Sequence, residues 1–111
     1  MRLQIERQSA RVWFHAPDQQ KTSLVSSDAE CLADLAARMA DTPGSTDVRI
    51  GGMGLARTSE DVTVSLYGDS WSTAFVISSF EIGSFARMVR EAATSRIFTG
   101  SIGVRRKIPV E

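Results

Sequence analysis

The sequence predicts an α+β domain: an antiparallel sheet with two amphipathic helices, an approximate β-β-β-α duplication, and a C-terminal strand or tail. Three observations predict it. Val12-Trp13-Phe14-His15 and Val62-Thr63-Val64-Ser65-Leu66 alternate with the two-residue period of half-buried strands. Leu32, Leu35, Ala36 and Met39, then Ile82, Phe85, Met88, Val89 and Ala92, recur at helical spacing. Each helical stretch opens on Ser-x-x-Glu: Ser27-Asp28-Ala29-Glu30 and Ser78-Ser79-Phe80-Glu81. That is the spacing of a capping box, in which the serine oxygen accepts from the N3 amide and the glutamate reaches back to the cap amide. Helices with a single apolar stripe need a sheet to cover it, and that requirement sets the class.

The elements follow in order. Leu3 and Ile5 alternate with Arg2, Gln4 and Glu6, so the chain begins on a strand and carries no signal-peptide pattern. A second strand runs from about Arg11 to Ala16, with Val12, Phe14 and Ala16 on one face and Arg11, Trp13 and His15 on the other. Pro17-Asp18-Gln19-Gln20 turns the chain into a third strand, about Lys21 to Ser26. The first helix is expected from Asp28 to about Ala40, with Asp28 and Glu30 at the positive end of its dipole. Asp41-Thr42-Pro43-Gly44-Ser45 ends it and separates two pseudo-repeats, about 1–41 and 46–96, within one domain of 111 residues.

The second half opens on Val48 and Ile50. Gly51-Gly52-Met53-Gly54 follows as a hairpin turn or bulge, then Leu55-Ala56-Arg57. Strands at Val62–Leu66 and about Trp71–Ile77 flank a Gly68-Asp69-Ser70 loop, and a second helix covers about Ser79 to Ser95. Residues 97–111 are a closing strand, Ile97 to Val104, and a basic tail, Arg105-Arg106-Lys107-Ile108-Pro109. The caps match at an offset of 51 residues and the stripes at 53, so the doubling holds for elements more than for residues. Strands followed by a helix, twice over, is similar to the arrangement of Whirly-type and PUR-type repeats. The likeness is in element order only, because no residue motif of either family is present.

Composition narrows the function classes. With 42% hydrophobic and 23% charged residues, the chain can bury a core and is not a disordered polymer. No apolar run reaches the roughly 20 residues of a membrane span. The lone Cys31 can form no internal disulfide, and the cytoplasm is the expected compartment. Net charge is zero but unevenly placed: residues 1–86 hold 7 basic and 11 acidic side chains, residues 87–111 hold 6 and 2. Eleven of the thirteen basic residues are arginine, the side chain suited to bidentate pairing and stacking.

No catalytic set is laid over this scaffold. Gly51-Gly52-Met53-Gly54 precedes no helix and lacks the Gly-Lys-Ser/Thr of a phosphate loop. His15 is the only histidine, and two lone residues, His15 and Cys31, make no metal site. Cys31 is expected to pack as a small hydrophobe and Phe80 to join the core. No cofactor is implied. What remains is surface: Arg2, Gln4, Arg11, Trp13 and His15 share the face opposite Leu3, Ile5, Val12 and Phe14, and Thr63, Ser65 and Tyr67 repeat the pattern. A second, basic patch comprises Arg87, Arg90, Arg96, Arg105, Arg106 and Lys107. The expected binding residues are therefore Arg11, Trp13, His15, Tyr67, Arg87, Arg90, Arg105, Arg106 and Lys107.

The sequence reads best as a small non-enzymatic module for protein recognition, of the inhibitor, immunity or adaptor type that phage, plasmid or toxin loci encode. The alternative is a single-stranded nucleic-acid binder using the open sheet face and the basic C-terminal segment. No membrane partner is expected, and uncovered edge strands make a homodimer one way to close the sheet.

Overall fold

Among the described residues, nine strands and two helices form in the order β1 (Arg2–Gln8), β2 (Arg11–His15), β3 (Lys21–Val25), α1 (Ser26–Asp41), β4 (Thr46–Ile50), β5 (Met53–Arg57), β6 (Asp61–Tyr67), β7 (Ser72–Ser78), α2 (Ile82–Thr94), β8 (Phe98–Gly103) and β9 (Arg105–Arg106). The computed structural model of the chain describes residues 1–42, 46–58 and 60–106. The class is α+β, as the residue pattern requires. The strands divide between two antiparallel sheets, β3-β2-β1-β8 and β4-β5-β6-β7-β9.

The two sheets are built by exchange. After α1 the chain does not rejoin β1–β3; instead β4 pairs with β5, Val48 opposite Leu55. After α2 the chain returns to the first sheet, where β8 pairs with β1, Leu3 opposite Ile102. Divided after β4 instead of after α1, the chain falls into two halves, β1-β2-β3-α1-β4 and β5-β6-β7-α2-β8, and each contributes its last strand to the sheet of the other. β9 has no counterpart in the first half. It follows β8 after Val104 and covers the edge of β7, with Val76 opposite Arg105 and Phe75 opposite Arg106. The segment expected to be a free basic tail is therefore strand at its start, while Lys107 lies outside the described residues.

Two-residue alternation decides which side of each strand is buried. Leu3, Ile5, Val12, Phe14, Leu24 and Ile102 of the first sheet, and Met53, Leu55, Val64, Leu66, Phe75 and Ile77 of the second, join one continuous core. α1 adds Ala29, Leu32, Ala33, Ala36 and Met39, and α2 adds Ile82, Phe85, Ala86, Val89, Ala92 and Ala93. The alanines leave room for the helices to lie against each other. Phe14 and Phe85 join sheet to helix at 6.5 Å between ring centroids, tilted by 30°.

The turns explain the glycine run. Ile50 pairs with Met53, so Gly51-Gly52 alone make the β4–β5 turn, while Met53 and Gly54 are strand. Gly51 has φ +54°, a conformation that glycine adopts at little cost. A Cβ on Gly52 would stand 2.2 Å from Thr22 Oγ1 and 3.0 Å from the Tyr67 carbonyl oxygen. This turn is thus pressed between β3 and the end of β6, where the two sheets meet. Nearby, Thr73 Oγ1 donates to Asp18 Oδ2 at 2.6 Å.

Neither capping box forms. α1 begins at Ser26, before the expected cap Ser27, and its N-cap residue is Val25. At the second site β7 runs on through Ser78, whose hydroxyl donates to Glu81 Oε1 at 3.0 Å, and α2 begins only at Ile82. Serine and glutamate do meet there, but as a turn before the helix. Phe80 falls in that turn and is 94% exposed, not core. Cys31 is likewise exposed, one position round the helix from buried Leu32.

Helix ends are served instead by arginines from the strands. Arg7 ends the inward row Leu3, Ile5, Arg7, and its Nη1 donates to the carbonyls of Ala92 and Ala93 at 3.0 and 2.9 Å. A cation on the last carbonyls of α2 satisfies orphan acceptors and opposes the negative end of the dipole. Arg57 ends the matching row Met53, Leu55, Arg57, and its Nη1 donates to the Thr42 carbonyl at the end of α1, at 3.3 Å.

Candidate recognition face

Because β1 and β2 bury one set of alternate residues, the other set is displayed together on the outer side of the first sheet. The register arranges it in rows: Ser23, Trp13, Glu6 and Thr99 across the middle, with Lys21, His15, Gln4 and Ser101 beside them. Trp13 stands on an interior strand, half-buried by its neighbours. The Lys21 ammonium lies over its ring, 5.3 Å from the centroid, and the His15 ring stacks beside it at 6.3 Å and 29°. His15 Nε2 lies 3.2 Å from Glu6 Oε2, close enough for attraction but without the alignment of a hydrogen bond.

Two arginines are fixed on this face by the same device. Arg11 Nε donates to Ser23 Oγ at 2.6 Å and its Nη2 to the Ser23 carbonyl at 3.3 Å. Arg2 Nε donates to Ser101 Oγ at 2.8 Å and its Nη2 to the Ser101 carbonyl at 3.0 Å. Each guanidinium is held against the neighbouring strand with part of its donor set still free. Arg2, Arg11 and Lys21 outnumber the single carboxylate, Glu6, so the face is positive.

The expected binding residues do not form one surface. Arg11, Trp13 and His15 are together on the first sheet. Tyr67 is on the outer side of the second sheet, where the Arg49 guanidinium covers its ring at 3.8 Å. Tyr67, Arg49, Asp47, Thr63 and Ser65 line a polar depression of about 360 Å³ over Gly54. Arg87 and Arg90 lie on the exposed side of α2; Arg90 is hydrogen-bonded and ion-paired to Asp34 of α1. Arg105 and Arg106 are on β9, and Arg105 Nη2 donates to Asp61 Oδ1 at 2.8 Å. The basic C-terminal stretch is therefore divided among α2, the connection to β8 where exposed Arg96 lies, and β9.

Sequence reasoning missed Lys21, Glu6 and Arg49 as site residues. The hairpin register that sets Lys21 opposite His15 was the available signal for the first. Among the described residues no three of His, Cys, Asp or Glu gather as a metal site requires. No helix among them is long and apolar enough to cross a membrane. No protein-family model, no curated protein and no solved structure matches this chain.

Proposed function

We propose that this protein is a non-enzymatic recognition module of the inhibitor, immunity or adaptor type, binding another protein through the outer face of its first sheet. The observation that carries this reading is Trp13, set mid-sheet on an uncovered strand layer between Lys21 and His15. Tryptophan and arginine are the side chains most enriched among interface anchors. Arg2 and Arg11 are already held by their serines, so less side-chain entropy is lost when they dock. The positive face favours a partner patch rich in carboxylates. We place its action in the cytoplasm, in keeping with a single cysteine that has no disulfide partner in the chain.

The positive charge of the face also favours the second reading, a single-stranded nucleic-acid binder. Such surfaces generally offer successive stacking platforms. Here one tryptophan is available and the Tyr67 ring is covered by Arg49.

The two readings separate in one experiment. Wild-type and Trp13→Ala proteins serve as baits in an extract of the source cells, and the protein held by the wild type is purified and titrated calorimetrically. Trp13→Ala should weaken that complex by about 2 kcal/mol, or about thirtyfold. In parallel, a labelled single strand should show no binding near physiological salt. Binding of the strand that falls steeply with added salt, with no protein captured, would favour the second reading and defeat the first.

A further inference from the structure

We propose that the protein forms a twofold homodimer through the ends of its helices, with Phe80 of each copy inserted between α1 and α2 of the other. The last turn of α1 and the first turns of α2 bound a groove of about 340 Å³, floored by Ala37, Ala40, Gly83 and Ser84. Small side chains leave this volume, and no large apolar side chain among the described residues fills it. Phe80 stands at the rim and is 94% exposed. A phenyl ring left in solvent forgoes the stabilisation that burial of its apolar surface would supply. A protruding ring and an unfilled groove on one patch are the two parts of an isologous contact, in which the same surface serves both subunits.

The charges at the groove are self-complementary as well. Asp41 and Arg87 both line it, and neither has an ion-pair partner among the described residues. Among the described residues Arg87 donates only to Ser84 Oγ, at 3.2 Å. Asp41 is the last residue of α1, where the helix dipole disfavours a carboxylate and a cation is favoured. In the proposed dimer a dyad at the groove pairs Asp41 of each copy with Arg87 of the other. A second copy meets all three demands, for a ring, a cation and an anion. Because the groove belongs to the helices, dimerisation leaves the Trp13 face of each subunit uncovered and available for the proposed partner.

The test is sedimentation equilibrium of the purified full chain over about 1–200 μM, a range in which mass action reveals a self-association. Wild type should follow a monomer–dimer equilibrium. Phe80→Ser should weaken it at least about tenfold, the effect of removing a buried anchor. Asp41→Arg and Arg87→Asp should each weaken it, and the double exchange should recover most of the loss. Thermal melts check that the variants stay folded, which substitution of an exposed residue allows. A wild type that stays monomeric throughout overturns the proposal. So does a dimer indifferent to Phe80→Ser, or one that the double exchange fails to restore. None of these outcomes bears on partner binding at Trp13, which is measured separately.

Discussion

At the scale of single residues, what decides an arginine's role is what its guanidinium reaches. Arg7 turns inward from β1 to the last carbonyls of α2, a part-buried site where charge-assisted hydrogen bonds hold their strength. Arg7→Met keeps the aliphatic stem and removes the donors. It should lower stability by about 1–2 kcal/mol, read as an earlier urea midpoint with an unchanged slope. Arg105 is the contrast. Its pair with Asp61 is open to solvent, 65% and 41% exposed, and such pairs are worth at most about 1 kcal/mol. Arg105→Ala should therefore shift the same midpoint by less than Arg7→Met does. Equal shifts would show that the helix terminus is not what Arg7 supports.

At the scale of elements, the turn Gly51-Gly52 carries a specific expectation. Gly52 lies against Thr22 and the Tyr67 carbonyl, and the Tyr67 amide donates to the Gly52 carbonyl at 2.9 Å. A methyl group there must displace Thr22 or pull the turn away from β6. Gly52→Ala should cost about 1–3 kcal/mol, measurable as a lower melting temperature. Elements were the most legible level of this sequence. Local periodicity states which face of a strand or helix is buried, so Leu3 and Ile5, Val62 to Leu66, and most of both helix stripes could be read directly; Leu35 is the exception, half-buried and outside the core. It does not state which strand lies alongside. β4 and β8 look alike from within their own residues, and their exchange between sheets is fixed by contacts distant in sequence. The capping boxes misled for a related reason: Ser-x-x-Glu gives a spacing, whereas β7 extends through Ser78 and turns its hydroxyl to Glu81. Phe80 was expected inside because it is apolar, but the turn that holds it faces away from the core. Of the recognition face, Arg2, Arg11, Trp13 and His15 were legible by alternation. Lys21 and Glu6 needed the register, and the separation of Tyr67 onto the other sheet needed the topology.

At the scale of the whole molecule, strand exchange gives the proposed recognition face its support. The first sheet is completed by β8 from the second half, and the second by β4 from the first. Arg7 and Arg57 repeat the exchange at the helix ends. Neither half holds a complete sheet of its own, so both must form and be lost together. The chain carries a natural reporter in each: Trp13 on the first sheet, and Trp71 just before β7, packed against the core. Trp71→Phe leaves Trp13 to report on the first sheet, and Trp13→Phe leaves Trp71 to report on the second. The deciding measurement is urea unfolding of both variants, each followed by fluorescence and by far-ultraviolet circular dichroism. The strand-exchanged architecture predicts that in each variant the two signals trace a single coincident transition. Loss of one tryptophan signal while a separate, later transition persists in the dichroism would mean that the sheets stand independently, and would contradict it.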